Sequence, residues 1–330
     1  MAVGGRAATP SRRSAPLSRR ILVIKLGALG DVVLAFGPFA AIRAHETRVH
    51  RARVHGAGAH IAVLTTPPFA DLLRRAPWFD EVLVDHRPGP LDVPGLLRLR
   101  RALHGFDFVY DLQTSGRSSR YHALAGRPPW SGIARRASHP HDNPARNAMH
   151  TIDRQHDQLR AAGIACFPPP DLRWLTTGGP VLPAPYALLA PGAAPHRPEK
   201  RWPAEQFGAL ASVLHARGIQ PVVVGTAADA DAAAALLRRC PAATDLVDRT
   251  TLSDLAGLAA RAHAAVGNDT GPMHLAAAAG APCTVLFGGA SDPALTAPRG
   301  SSPGQVVVLR AANLADLAVE RVAATVPDAH

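Results

Sequence analysis

The chain has 330 residues, 47% of them hydrophobic and only 5% aromatic, with a formal net charge of +11. That length exceeds what a single core usually fills, so two domains are expected. No apolar run reaches the roughly 18 residues of a membrane span. The three cysteines (Cys166, Cys240 and Cys283) are far apart and form no Cys-x-x-Cys pair, which fits a reducing, cytoplasmic compartment and argues against a disulfide frame or structural zinc.

Residues 1–20 are rich in Arg, Ser, Ala and Pro and have no apolar centre, so they read as a disordered basic tail rather than a secretory signal. Residues 21–26 form an apolar run, expected to be the first parallel strand. A tight turn at 27–31 (GALGD) leads into a helix over 32–43. Strands at 60–65, 81–85 and 106–112 alternate with helices at 69–75, 91–103 and after 117. This is the pattern of right-handed βαβ units around a parallel sheet. Residues 127–147 read as an irregular loop, and 152–162 as a helix. The proline-dense passage 167–185 is the best interdomain boundary, giving domains at 21–175 and 176–330. The second half repeats the alternation: strands at 186–190, 221–224, 245–247, 264–266, 284–287 and 306–309, helices at 204–217, 230–239, 252–262 and 270–279, and a closing helix at 314–326. Two doubly wound α/β halves imply a ligand cleft between them.

Three turns carry the candidate chemistry. The first is KLGALGDVV at 25–33, where Gly27 and Gly30 shape the turn. Its glycine spacing is not that of a dinucleotide fingerprint. Asp31 lies at a helix start, where the dipole favours a carboxylate; it is either a first-turn acid or a proton acceptor facing the cleft. The second is PGAAPHRPEKRWP at 191–203, where Gly192 turns the chain and Lys200 and Arg201 suit a diphosphate. Its alternative is a solvated basic loop anchored by Trp202. The third is AAVGNDTGPMHLAAAAG at 264–280, a buried strand, a small-residue turn and a helix that opens at Thr270, Gly271 and Pro272 and ends at Gly280. Free N–H groups and the positive helix end converge there on one point suited to phosphate; the alternative is an ordinary strand-to-helix turn that binds nothing, since every such helix end carries the same partial charge. Of the 36 basic residues only Lys25 and Lys200 are lysines, and both stand in these motifs. Asp229-Ala-Asp231 has the letters of a metal pair but sits at the start of an alanine-rich helix.

In order and spacing these motifs resemble glycosyltransferase family 9, the ADP-heptose:lipopolysaccharide heptosyltransferases and their relatives, over roughly residues 20–325. The resemblance implies a GT-B architecture, in which two Rossmann-like domains face each other and the second holds most of the donor nucleotide. It implies an inverting reaction that needs neither cofactor nor metal. By position, Asp31 would be the general base and Lys200 would neutralise the leaving diphosphate. Asp269 matches an acid used around the donor, and Thr270, Gly271, Pro272 and His274 match the donor-phosphate site. Because Pro272 has no N–H, the backbone donors are counted as Thr270, Gly271 and Met273. The chain departs from the family in the loop after the strand ending near Val224, where a glutamate is common. That loop reads GTAAD here, with the acid missing or displaced to Asp229. His139, His141 and Asn143 are candidates to shape the acceptor side, weighed against surface or packing roles.

The expected activity is transfer of a heptose or related sugar from an ADP-sugar to a lipopolysaccharide core or another cell-envelope glycan. The alternatives are a GT-B-like sugar-nucleotide epimerase or hydrolase and a non-catalytic nucleotide binder. A nucleic-acid partner is disfavoured despite the charge, since no basic run is interleaved with stacking aromatics. The basic surface instead favours peripheral contact with an anionic inner membrane face.

Overall fold

A computed structural model describes residues 19–53, 58–194 and 197–329. The basic tail expected at 1–20 therefore lies, up to residue 18, outside the described residues.

Among the described residues twelve strands make two six-stranded sheets, and every pairing is parallel. The first sheet contains β1 (Arg20–Ile24), β2 (His60–Thr65), β3 (Glu81–Val84), β4 (Phe108–Asp111), β5 (Trp130–Gly132) and β6 (His139–Pro140) in the order β3-β2-β1-β4-β5-β6. The second contains β7 (Tyr186–Ala190), β8 (Gln220–Val223), β9 (Thr244–Asp245), β10 (Ala264–Asn268), β11 (Cys283–Phe287) and β12 (Val306–Arg310), ordered β12-β11-β10-β7-β8-β9. Renumbered from its own first strand, the second sheet has the same order as the first, so the chain carries the doubly wound topology twice. This is the GT-B architecture.

The strands are apolar without alternation because both faces of each sheet are covered. Ile21 and Val23 of β1 point into a core shared by the two halves, while Leu22 and Ile24 point to a separate outer layer. In β7, Tyr186, Leu188 and Ala190 face the shared core, and Ala187 and Leu189 face the outer layer of the second half. The shared core is closed by Phe36, Phe39, Trp78 and Trp174, whose rings meet at 5.3–6.5 Å between centroids. Trp174 comes from the proline-dense passage, so that segment is packed against the first half as well as linking it to the second.

Several expected elements differ. The helix expected at 32–43 is two helices, Leu29–Val33 and Phe36–Arg53, separated where Leu34 N–H bonds Gly30 O and Ala35 N–H bonds Val32 O. The irregular stretch 127–147 contains β5 and β6, which are two or three residues long and are defined by their neighbours rather than by their own pattern. The closing helix expected at 314–326 is a 3-10 turn, Leu314–Asp316, followed by the short helix Val319–Ala323. Leu314, Leu317, Val322 and Val326 are all buried against the second half, and this packing rather than helical propensity sets the path.

Candidate active site

In open parallel sheets ligands bind beyond the carboxyl ends of the strands, where the strand order reverses. Here that switch point falls between β1 and β4 in one half and between β7 and β10 in the other. All three motif turns leave these strands: residues 25–31 follow β1, 191–203 follow β7, and 269–272 follow β10.

The two switch points meet. The start of helix Leu29–Val33 crosses the start of helix Gly271–Ala278 closely enough that each contributes a glycine. A Cβ on Gly30 would stand 2.7 Å from His274 Cδ2, and one on Gly271 would stand 2.6 Å from Leu29 Cβ. Gly27 adopts φ +121°, a region that favours glycine, and a Cβ there would also meet the Phe69 ring at 2.5 Å. Gly30 and Gly271 therefore set an interdomain contact, while Gly27 shapes the turn against Phe69 within the first half. Asp31, in the first turn of its helix, is partly exposed at this crossing.

On the second half the set of free N–H donors is smaller than the sequence implies. Met273 is not a free donor: its N–H bonds Thr270 O at 3.1 Å, and its side chain is buried in the core. Among the described residues, Thr270 and Gly271 keep N–H groups without a hydrogen-bond partner. Thr270 is extended at the helix start and makes no side-chain cap. Lys200 Nζ lies 2.7 Å from Asp269 Oδ2, with the aspartate side chain 7% and the lysine side chain 21% exposed, so Asp269 orients the lysine while leaving it reachable. Arg201 donates to Ala193 O at 3.0 Å, which braces the loop and leaves only part of its guanidinium for a ligand.

Asn268 organises this loop, and sequence reading passed over it. Its Oδ1 accepts from Trp202 N at 2.9 Å, and its Nδ2 donates to Pro191 O at 2.8 Å and Gly192 O at 3.2 Å. The buried amide ties the turn after β7 to the end of β10, and Trp202, buried and bonded through Nε1 to Leu317 O, anchors the far end. The available signal was a polar Asn closing an otherwise apolar strand.

A cavity of about 840 Å³ opens between the halves beside the free N–H donors. Gly192 and Thr270 line it, together with Leu29, Phe69, Thr226, Asp229 and Leu252. Asp229, at the position of the displaced acid, caps Thr226 N at 2.9 Å and lies directly over Gly192, whose missing side chain makes room for the carboxylate. His141 and Asn143 both bond Asp157 Oδ2, at 3.0 and 2.8 Å, and hold their loop to the helix Thr151–Ala161. His139 packs its ring against Phe108. These three are structural here.

Burial shapes the electrostatics. Lys25 is almost wholly enclosed, donating to Leu112 O at 3.1 Å. Burial lowers its pKa, while the Asp31 and Asp111 carboxylates pull it upward. Burial raises Asp111 to about 6. Burial also holds the His274 imidazole down at about 4, against the opposing pull of Asp269 and Asp31. His274 is therefore neutral at neutral pH. An unfolded histidine takes its proton near 6.5, so between 6.5 and 4 the unfolded chain binds a proton that the folded chain refuses, and stability falls as pH drops through that window. Asp111 has the opposite sign, because its folded form is protonated first. A His274→Gln chain keeps the Asp111 effect and isolates the histidine. Its loss of stability in urea between pH 7 and pH 5 is expected to be smaller than that of the wild type by about 2 kcal/mol. Identical losses in the two chains would show that the imidazole is not held neutral.

Two facing doubly wound sheets, with candidate ligand groups beyond the carboxyl ends of strands from both, define the class of fold that encloses a cleft between its halves. The family model described as glycosyltransferase family 9 (heptosyltransferase) matches residues 155–323. The chain belongs to this family. It is 33% identical over 109 residues to lipooligosaccharide heptosyltransferase 2 of Haemophilus influenzae, a segment that is 32% of this chain and 31% of that protein. The match thus spans about a third of that curated relative's length. Among solved structures, the glycosyl transferase family 9 protein of Veillonella parvula superposes with TM-score 0.75 at 20% identity, covering 93% of this chain and 95% of that one. The Escherichia coli ADP-heptose lps heptosyltransferase II superposes with TM-score 0.69 at 23% identity, covering 93% and 97%. At these identities the likeness is one of fold. Among the described residues no helix is long and apolar enough to cross a membrane.

Proposed function

We propose that this protein transfers a heptose, or a related sugar, from an ADP-sugar to a lipopolysaccharide core or another cell-envelope glycan at the cytoplasmic face, with inversion and without a metal. The observation that carries this reading is the crossing of the two helix starts, with Gly30 against His274 and Leu29 against Gly271. It packs the helix start that carries Asp31 in one half against the helix start of the other, where Thr270 and Gly271 offer free N–H groups, and the Asp31 and Asp269 carboxylates both act on His274.

The chemistry follows from the charges. Asp31 takes the proton of the acceptor hydroxyl as that oxygen attacks the anomeric carbon. The carbon–oxygen bond to the diphosphate breaks, and negative charge grows on the leaving group. Lys200 and the two free N–H groups meet that charge without reorganising, an arrangement whose members are each worth roughly 3–4 kcal/mol when aimed at developing charge. His274, held neutral by burial, adds no charge of its own at the crossing. The 840 Å³ cavity beside the cradle is large enough for a nucleoside, and Gly192, Thr226 and Leu252 line it on the second-half side.

Thermal melting with ADP, UDP, GDP and NAD tests the donor. A ligand that binds only the folded state stabilises it by about 2.7 kcal/mol at a hundred times its dissociation constant. ADP is expected to raise the melting temperature by several degrees and the others by less. Stabilisation by UDP or NAD but not ADP would reject the ADP-sugar reading. Consumption of an ADP-sugar at the same rate with and without a glycan acceptor would point to the hydrolase.

A further inference from the structure

The helix that carries the chain from β3 to β4, Val93–Leu103, starts on the cleft side in an apolar tip that no described residue covers. Leu91 is 93% exposed, Val93 59% and Leu97 48%. Among the described residues only four large apolar side chains are at least 48% exposed, and three of them fall in these seven positions. The tip is held in place. Asp92 caps the helix by accepting from Gly95 N at 2.8 Å, and Gly95, Leu99 and Leu103 are buried beneath it. Val93, Leu97 and Arg101 are spaced four apart and so share the outward stripe.

A basic band follows the tip. Arg98, Arg100 and Arg101 are exposed on the same helix. Arg120 is exposed on the neighbouring helix Gly116–Leu124, and Arg135 and Arg136 in the loop after β5. None of the six pairs with a carboxylate among the described residues. The acids of this stretch are otherwise engaged: Asp92 caps its helix, Asp107 accepts Arg20 N at 2.8 Å, and Asp111 is buried.

Unpaired arginines beside an exposed apolar tip match a surface that offers both anionic phosphate and hydrocarbon. Either signal alone binds a bilayer weakly, and the two together hold. We infer that this face docks the protein on an anionic phospholipid bilayer, with Leu91, Val93 and Leu97 entering the headgroup region and the arginines resting on lipid phosphates. Since β3 ends on the cleft side, docking would set the mouth of the cleft against the bilayer, where a lipid-anchored acceptor would be presented. The inference goes beyond sugar transfer and does not depend on it, because binding is read without turnover.

The test is co-sedimentation of the full chain with vesicles of phosphatidylcholine alone and of an equimolar mixture with phosphatidylglycerol. The wild type is expected to prefer the anionic vesicles by at least about tenfold, since each arginine near such a surface contributes about fivefold. Arg98→Glu with Arg101→Glu is expected to weaken that binding by at least about twentyfold. Leu91→Ser with Leu97→Ser is expected to remove the part that survives raised salt. Unchanged melting of each variant separates lost docking from lost folding, and Arg120→Glu on the neighbouring helix provides an independent variant. Equal partition of the wild type into both lipids, or wild-type partition by both double variants, overturns the inference. So would weak vesicle binding combined with tight duplex-oligonucleotide binding that the arginine variant abolishes, which would assign the face to nucleic acid.

Discussion

An Asp31→Asn chain is expected to melt like the wild type and to lose about 10²–10⁴ in turnover, the usual contribution of a positioned general base. Asparagine has the same shape, and the residue is partly exposed in the first turn of a short helix, so little packing is disturbed. The helix loses one favourable charge at its positive end, worth well under about 1 kcal/mol at an exposed site. Stabilisation by ADP should survive, because the anion cradle belongs to the other half of the molecule. The informative measurement is kcat for sugar transfer beside the ADP-induced melting shift. Turnover within a fewfold of wild type would remove Asp31 from the role of base. Loss of the ADP shift along with turnover would instead mean that Asp31 acts on the donor, through His274 and the packed crossing.

Replacing Lys200 by alanine has two consequences that can be separated. The first concerns stability: Asp269 is nearly buried and would lose its partner at 2.7 Å, a change that costs about 1–3 kcal/mol when a buried acceptor is stranded. The second concerns the reaction: the leaving diphosphate would lose its ammonium, with an expected fall of about 10²–10³ in kcat, the size seen when one preorganised donor is removed. Adding Asp269→Asn to Lys200→Ala removes the stranded charge, so stability should recover while turnover stays low. Recovery of both would make the lysine a structural partner of Asp269 and nothing more. Lys200→Arg is expected to be intermediate, because a planar fork replaces a point charge that meets a single oxygen of Asp269.

The two variants probe opposite walls of one cleft, and only one wall falls within the family match. Residues 155–323 include Lys200, Asp269 and His274, whereas Asp31 lies outside them. The position of Asp31 rests on the crossing of the two helix starts, which makes its substitution the sharper test of how the halves work together.

Much of the fold was legible in the residues. Apolar runs such as 21–26 and 186–190, each followed by a small-residue turn and a helical pattern, determine parallel strands with covered faces, since the periodicity and the turn chemistry are local. The same local signals placed Gly27, Gly192 and Gly280 at turns and Asp31 at a helix start. What they left undetermined depends on partners distant in the chain. β5 exists because β4 offers an open edge and β6 because β5 does, and the segment after 314 bends because Leu317 and Val326 have a core to fill. The Met273 N–H is lost as a donor to a neighbouring carbonyl, and Asn268 gains its role from backbone 66 to 77 residues away. The pairing of Gly30 with His274 and of Gly271 with Leu29 is likewise invisible in either motif alone, because a side chain that must be absent is explained only by the atom that occupies its place. The sequence by itself thus determined two sheets and three turns rich in anion-binding groups. The tertiary structure decided that the turns meet, since close packing between separately folded halves is set by shape at the contact and not by any local preference along the chain.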